Sequence, residues 1–319
     1  MSISDDESRQ RLEGDLTSSR IAELKVNPVA GNFDLRHLSE VHRRIFQDLP
    51  SAGFSESTPG EYRPPVQSGV DWQKCRVLDA APGQFFVTYS KMDEAAQQRL
   101  ETTLAQVQPD QLEQLNPKEF AHAISKLYSE LDYIHPFLDG NSRTLRSFTA
   151  QLAEKAGYRI EWEQFDTAHQ GRDKLYIARD LAVNKIAKSG IEQPNTMMRI
   201  VSSMDRLQGN RDLGDLLADV VRPSRSVAFE TMDREQALKK HPELEAAYKV
   251  LEVSARYIDS KAVGEDTAKS LLKTISTKLV ERMDRGEVIQ YDGREIKPAD
   301  VSKSIQPVRD PRRDTDMDR

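Results

Sequence analysis

Cysteine is almost missing from this chain: Cys75 is the only one in 319 residues. An internal disulfide is therefore excluded, and no Cys/His set has the spacing of a zinc finger. Long apolar runs are missing too, with none near the ~20 residues that span a bilayer. The opening MSISDDESRQRLEGD is polar and acidic, the opposite of a secretory signal. These absences predict a cytoplasmic protein with no membrane partner, and the lone Cys75 agrees with that setting. A basic surplus is lacking as well. The 46 Lys+Arg against 52 Asp+Glu leave a net charge of −6, which argues against direct binding of nucleic acid. No repeat of solenoid length occurs. What is present is charge, 31% of residues, with a mean hydropathy of −0.66. The length allows one large domain or two ordinary ones, and a core that needs no staples.

Punctuation along the chain predicts mostly helix. Residues 1–16 read as a disordered acidic lead-in, followed by a short helix over 18–25 that stops at Asn27-Pro28. Asp34 is a good N-cap for a helix whose stripe is Leu35, Leu38, Val41, His42, Ile45 and Phe46. From Pro50 to Gly83 five prolines and four glycines exclude a long helix, and the runs 75–78 and 85–89 around the turn-rich DAAPG predict a β-hairpin. Helices are expected over 91–106, 117–134, 162–169, 172–188 and 196–208. The second of these starts at Asn116-Pro117 and carries a stripe of Phe120, Ile124, Leu127, Leu131 and Ile134. VVRPSRSVAFE reads as a linker, residues 210–291 as a helical extension, and 292–319 as a charged, disordered tail.

Chemistry is concentrated in HPFLDGNSRTLR, residues 135–146. Pro136 and Gly140 break the preceding helix, and helical sequence returns at Asn141. A loop feeding a helix start leaves first-turn N–H groups free at the positive end of the helix dipole, which is an anion site. Gly140 lets a phosphate approach the backbone. Arg143 and Arg146 share a face of the new helix and offer donor forks to phosphate oxygens. Asp139 is a hard oxygen ligand placed for Mg²⁺ shared with phosphates. His135 is the one group here able to take a proton near neutral pH. Base, magnesium carboxylate and anion cradle within twelve residues point to phosphoryl or nucleotidyl transfer.

This stretch resembles the Fic family signature H-P-F-x-(D/E)-G-N-(G/K)-R-x-x-R and departs from it only at Ser142. With seven nearly fixed positions, a chance match in this chain is on the order of 10⁻⁷. SSRIAELKVNPVAGNFDLRHLSEVHRRIFQDLP is similar to the family's N-terminal helix pair, and PGEYRP to the segment entering its flap. The resemblance implies a mostly α fold: a Fic-type helical core over 17–209 with a short β-hairpin flap at about 60–90, then the helical extension. It implies a protein adenylyltransferase using ATP and Mg²⁺, in which AMP passes to a Ser, Thr or Tyr hydroxyl of a target protein. His135 would be the general base and Asp139 the magnesium ligand. Gly140, Asn141 and Ser142 would hold the α-phosphate, Arg143 the β-phosphate and Arg146 the γ-phosphate. Pro136 and Phe137 would shape the loop. The flap residues Val77, Leu78, Asp79, Phe85, Phe86 and Val87 would clamp the target by strand addition.

Toxin-type relatives further imply a type II topoisomerase as target. Many members are silenced by a helix carrying (S/T)-x-x-x-E-(G/N). Ser8 with Glu13-Gly14 misses that spacing by one residue, and Ser19 to Glu23 is followed by leucine. The expectation is accordingly a bacterial toxin held by a separate small antitoxin whose glutamate meets Arg146. Ser142 in place of glycine leaves two alternatives, another nucleotidyl or phosphoryl transfer, or a catalytically weak nucleotide-binding adaptor.

Overall fold

The computed structural model describes residues 5–291, and the expected tail at 292–319 lies outside the described residues. The chain divides into two compact units between Ser224 and Arg225. The first runs through α1 (Asp5–Val26), α2 (Leu35–Phe46), β1 (Trp72–Leu78), β2 (Ala81–Tyr89), α3 (Glu94–Ala105), α4 (Pro109–Glu113), α5 (Pro117–Ile134) and α6 (Asn141–Lys155). It continues with β3 (Tyr158–Ile160), α7 (Gln164–Thr167), α8 (Gly171–Ala187), α9 (Pro194–Leu207), α10 (Leu213–Ala218) and β4 (Val221–Pro223). The second unit is helical: α11 (Ser224–Thr231), which begins at the division, then α12 (Arg234–Lys240), α13 (Glu245–Asp259) and α14 (Glu265–Asp284). The fold is mostly α, with two antiparallel strand pairs among the described residues, β1–β2 and β3–β4.

Helix α5 is the central element of the first unit. Asn116 starts it with a reciprocal capping box: its side chain accepts from Glu119 N at 3.0 Å, and Glu119 accepts from Asn116 N at 3.0 Å. Pro117 at the first helical position needs no N–H partner there. Phe120, Ile124, Tyr128, Leu131 and Ile134 are fully buried along one stripe, in one core with α2, α6 and α10. Helix α2 begins at Asp34, whose carboxylate accepts from His37 N at 2.9 Å. The second unit has its own small core of Ala228, Phe229, Leu244, Ala247, Leu279, Val280 and Met283.

Two sequence-based expectations change. Residues 5–16 are not a disordered lead-in but the first turns of α1. Ion pairs hold that end rather than an apolar stripe, which is why its periodicity is weak. Arg9 pairs with Glu56 at 2.6 Å and lies over the Phe54 ring, and Glu13 pairs with Arg143 at 2.6 Å. The boundary expected at 209/210 also moves, to 224/225. Leu213, Leu217, Val220 and Val221 join the first unit's core, and the supposed linker contains β4, which pairs Val221 with Ile160 and Pro223 with Tyr158.

That placement of α10 gives a direct expectation. Leu217 is fully buried, so Leu217→Ala should destabilise the first unit by about 2–5 kcal/mol in urea unfolding. An unchanged unfolding midpoint would instead mean that residues 210–223 stand outside this core.

Candidate active site

Helix α5 terminates at His135, whose φ of 50° lies in the left-handed region. Such a turn in a non-glycine residue is strained and persists where neighbours over-determine it. The carbonyls that α5 leaves free are captured from the flap side. Arg63 Nε donates to His135 O at 2.7 Å, Arg63 N donates to Pro136 O at 2.8 Å, and Ser90 Oγ donates to Ile134 O at 2.7 Å. Arg63 is itself buried under Trp72, at 3.9 Å from the ring, and burial lowers its guanidinium to about 10.

The His135 side chain is buried, packed on Tyr89 with ring centroids 3.8 Å apart. Nδ1 stands 3.3 Å from Asp132 O and 3.5 Å from Asp132 Oδ1. Both are acceptors, so Nδ1 carries the proton and Nε2 is left as the acceptor. Lys74 Nζ, from β1, donates to that Nε2 at 3.2 Å. Burial pushes His135 down to about 4, the Asp132 carboxylate opposes the shift, and the cations of Lys74 and Arg179 add to it. Burial also lowers Lys74. Asp132, fully buried, is held well below the usual carboxylate range, because the Arg179 guanidinium and His135 outweigh the desolvation that would raise it. The imidazole is thus neutral at physiological pH, with Nε2 its accepting atom.

Beyond His135 the loop turns over a wall of aromatic rings. Phe137 is fully buried and stacked on His42 at 3.9 Å. His42 accepts from Gly60 N at Nδ1 (2.8 Å) and donates from Nε2 to Asp139 O at 3.2 Å, and burial holds it near 4. Gly140 has φ 72°, and a Cβ there would lie 2.1 Å from Phe46 Cζ, so no side chain fits. Gly140 provides α6 with no side-chain cap, and the helix's first-turn amides remain available to an anion.

Asn141 is buried, and its two amide functions close the loop: Nδ2 donates to Phe137 O at 2.7 Å and Oδ1 accepts from Phe137 N at 3.0 Å. Its side chain therefore holds the loop closed onto Phe137, and its backbone N–H lies in the first turn of α6. Arg143 is engaged by α1, donating to Glu13 at 2.6 Å and Thr17 Oγ1 at 3.0 Å. Arg146 lies 3.5 Å from Asp166 and over the Trp162 ring at 5.5 Å. Asp139 is 81% exposed, 3.9 Å from Arg143. No group of three or more His, Cys, Asp or Glu forms a metal centre among the described residues. One exposed carboxylate beside an anion cradle nevertheless fits magnesium, which keeps several waters and relies on substrate phosphates.

The flap expectation needs revision. Leu78 and Phe85 pack with Ile177 and Leu207, and Val87 with Val183, so these three side chains face inward. Phe86 is half-buried, while Val77 is 74% exposed and Asp79 is exposed. The outer edge of β2 is already occupied: Phe86 N donates to Ser203 Oγ, Thr88 N to Asn184 Oδ1, and Asn184 Nδ2 to Phe86 O. Opposite Phe86 and Thr88 in the hairpin register stand Cys75 and Gln73. Their backbone groups point to the outer edge of β1, the edge available to an added strand.

Five residues of the site were missed in the sequence: Lys74, Arg63, Asp132, Arg179 and the wall residue His42. Asp132 had a signal, a carboxylate at helical spacing from Tyr128 on the buried stripe and three residues before His135. Arg63 lay within the PGEYRP segment. For Arg179 and Lys74, distant in sequence, no local signal existed.

Residues 32–153 match the Fic/DOC family. The chain is 25% identical over 285 residues to protein adenylyltransferase VbhT of Bartonella schoenbuchensis, covering 86% of this chain and 54% of that protein. It is 27% identical over 163 residues to the probable protein adenylyltransferase Fic of Escherichia coli, covering 49% of this chain and 68% of that one. The chain thus spans about half the length of the Bartonella relative. Among solved structures, the N-terminal Fic domain of a putative cell filamentation protein from Bartonella quintana, with bound ADP, aligns at a TM-score of 0.46 and 18% identity, covering 71% of this chain and 90% of that one. Residues 32–153 are a Fic domain.

The buried histidines predict an acid response. His135 and His42 fall from 6.5 to about 4 on folding, so the unfolded chain binds protons that the folded chain refuses. Stability therefore drops as pH falls from about 6.5 to about 4. In urea titrations near pH 5, His135→Ala should flatten this slope by about 1 kcal/mol per pH unit; an unchanged slope would show that His135 is not a buried neutral ring.

Proposed function

We propose that the protein is an adenylyltransferase that moves AMP from ATP to a hydroxyl of a target protein. The observation that carries this reading is one juxtaposition. The neutral His135, with Nε2 as its accepting atom, stands six residues before a helix start whose first-turn amides have no side-chain cap and where only glycine fits at 140. The relatives named protein adenylyltransferase support it.

In this reading His135 Nε2 takes the proton of a Ser, Thr or Tyr hydroxyl. The freed oxygen attacks the α-phosphorus, the bond from that phosphorus to the bridging oxygen breaks, and pyrophosphate leaves. The amides of Asn141 and Ser142 meet the charge that develops on the α-phosphate. Arg143 and Arg146 face the outer phosphates, and ATP binding competes with Glu13 for the Arg143 fork. Asp139 would hold Mg²⁺, which supplies charge neutralisation to the phosphates when bound. The target segment would add to the open edge of β1, bringing its hydroxyl to Nε2 as Lys74 moves aside.

The setting proposed is cytoplasmic and the role that of a bacterial toxin, with a type II topoisomerase as the family-level candidate target. A separate small protein would restrain it by placing a glutamate on Arg146. A second reading, a nucleotide-binding adaptor without transfer, is favoured by one observation: Lys74 already occupies the accepting nitrogen.

Intact mass spectrometry of candidate targets, incubated with the protein, ATP and magnesium, separates the two. Transfer predicts a gain of one AMP, lost in His135→Ala by at least about a hundredfold in rate. ATP binding with no His135-dependent gain on any target, or on the protein itself, would favour the adaptor.

A further inference from the structure

Serine 142 occupies the second residue of α6, where the family signature has glycine or lysine. Its Oγ accepts from Arg179 Nη1 at 3.1 Å. Arg179 belongs to α8 and is among the most buried side chains of the molecule. Its Nε and Nη2 both donate to Asp132 Oδ2, at 3.1 and 2.9 Å. The other oxygen of that carboxylate, Oδ1, stands 3.5 Å from His135 Nδ1. Tyr128 and Tyr176 flank the guanidinium at 5.2 and 5.3 Å, so the planar fork has little room to turn. One buried cation therefore touches a group at each end of the site, and a glycine at 142 would leave its third arm without that acceptor.

We propose that Arg179 is a positioning residue that ties the base to the anion cradle. Through Asp132 it keeps His135 with Nδ1 protonated and Nε2 as the accepting atom, the atom that Lys74 contacts, and through Ser142 Oγ it fixes the first turn of α6. Serine at 142 is then a working contact of this chain and not a damaged glycine. The inference rests on reading His135 as the base, but its physical content, a coupling between Ser142 and His135, exists without any reaction.

Several charged or titratable groups face His135. Asp132 lies on the same helix, Lys74 comes from β1, Tyr89 from β2, Arg63 reaches the backbone carbonyl, and Arg179 stands behind Asp132. Ser142 is held by Arg179. A change at 142 can therefore reach the imidazole by releasing one arm of the guanidinium and letting the Asp132 carboxylate shift.

The test uses the full chain labelled with ¹⁵N-histidine, reading the His135 tautomer and titration by two-bond ¹H–¹⁵N spectra, with the signal assigned by its loss in His135→Ala. Wild type should show the Nδ1–H tautomer. Ser142→Ala and Arg179→Lys should each move the His135 midpoint by about half a pH unit or more, or populate the other tautomer. The double variant should go no further than Arg179→Lys alone. Because Arg179→Lys risks the fold, Asp132→Asn with Arg179→Met removes both buried charges together and serves as the second probe; it should move the His135 midpoint at least as far as Arg179→Lys, with Asp132 O still accepting from Nδ1. In AMP transfer, Ser142→Ala should lower kcat about tenfold with KM for ATP nearly unchanged. A wild-type tautomer and midpoint in Ser142→Ala together with either Arg179 variant would overturn the proposal. If the wild type transfers no AMP to any protein, the transferase reading fails instead, and the spectra still decide the coupling.

Discussion

Helix α5 ends at His135 in a left-handed turn, and the direction in which the imidazole points depends on that turn being held. A non-glycine residue in this conformation costs about 1–3 kcal/mol, so the surrounding structure must supply it. It does so from three directions. Arg63 and Ser90 take the carbonyls at the helix end, Asp132 takes Nδ1 from within the helix, and Tyr89 closes the ring from the hairpin. The hairpin is thereby joined to His135, and the same turn sends the chain through Phe137 to Gly140 and the start of α6.

Electrostatics follow from this packing. A ring buried this deeply would sit neutral anywhere, and its contacts determine which nitrogen bears the proton: Asp132 O and Oδ1 stand beside Nδ1, and Lys74 donates to Nε2. Asp132 and Arg179 form a pair with almost no solvent contact. A buried pair of this kind contributes little net stability, yet loss of one partner costs about 3–5 kcal/mol. Such an arrangement favours one geometry over its competitors. The net charge of −6 is a sum over the whole chain and places no limit on the local charge at one helix start.

Legibility in the sequence followed the range of the interactions. The loop between α5 and α6 was readable because its signals are local: Pro136, Gly140, a capping box at Asn116 and a regular stripe to Ile134. The boundaries of α1 were not, because Arg9 and Glu13 are held by Glu56 and Arg143, residues far along the chain. The hairpin was readable as a hairpin, but its faces were not. Which of Leu78, Phe85 and Val87 point inward depends on α8 and α9 packing behind the sheet. Asn141 shows the limit of transfer by motif alone. Its position matches the signature, while its side chain closes the loop onto Phe137. Arg179 and Lys74 complete the site from the far side of the fold, where only tertiary structure brings them together with His135.

A neutral, buried His135 acting as the proposed base has a kinetic signature. The pH dependence of kcat/KM for AMP transfer tests it most directly. A base held near 4 by burial predicts that the rate limb assigned to His135 stays flat from pH 8 down to about 5 and falls only below that. A limb that bends near the ordinary histidine value of about 6.5 would contradict the account.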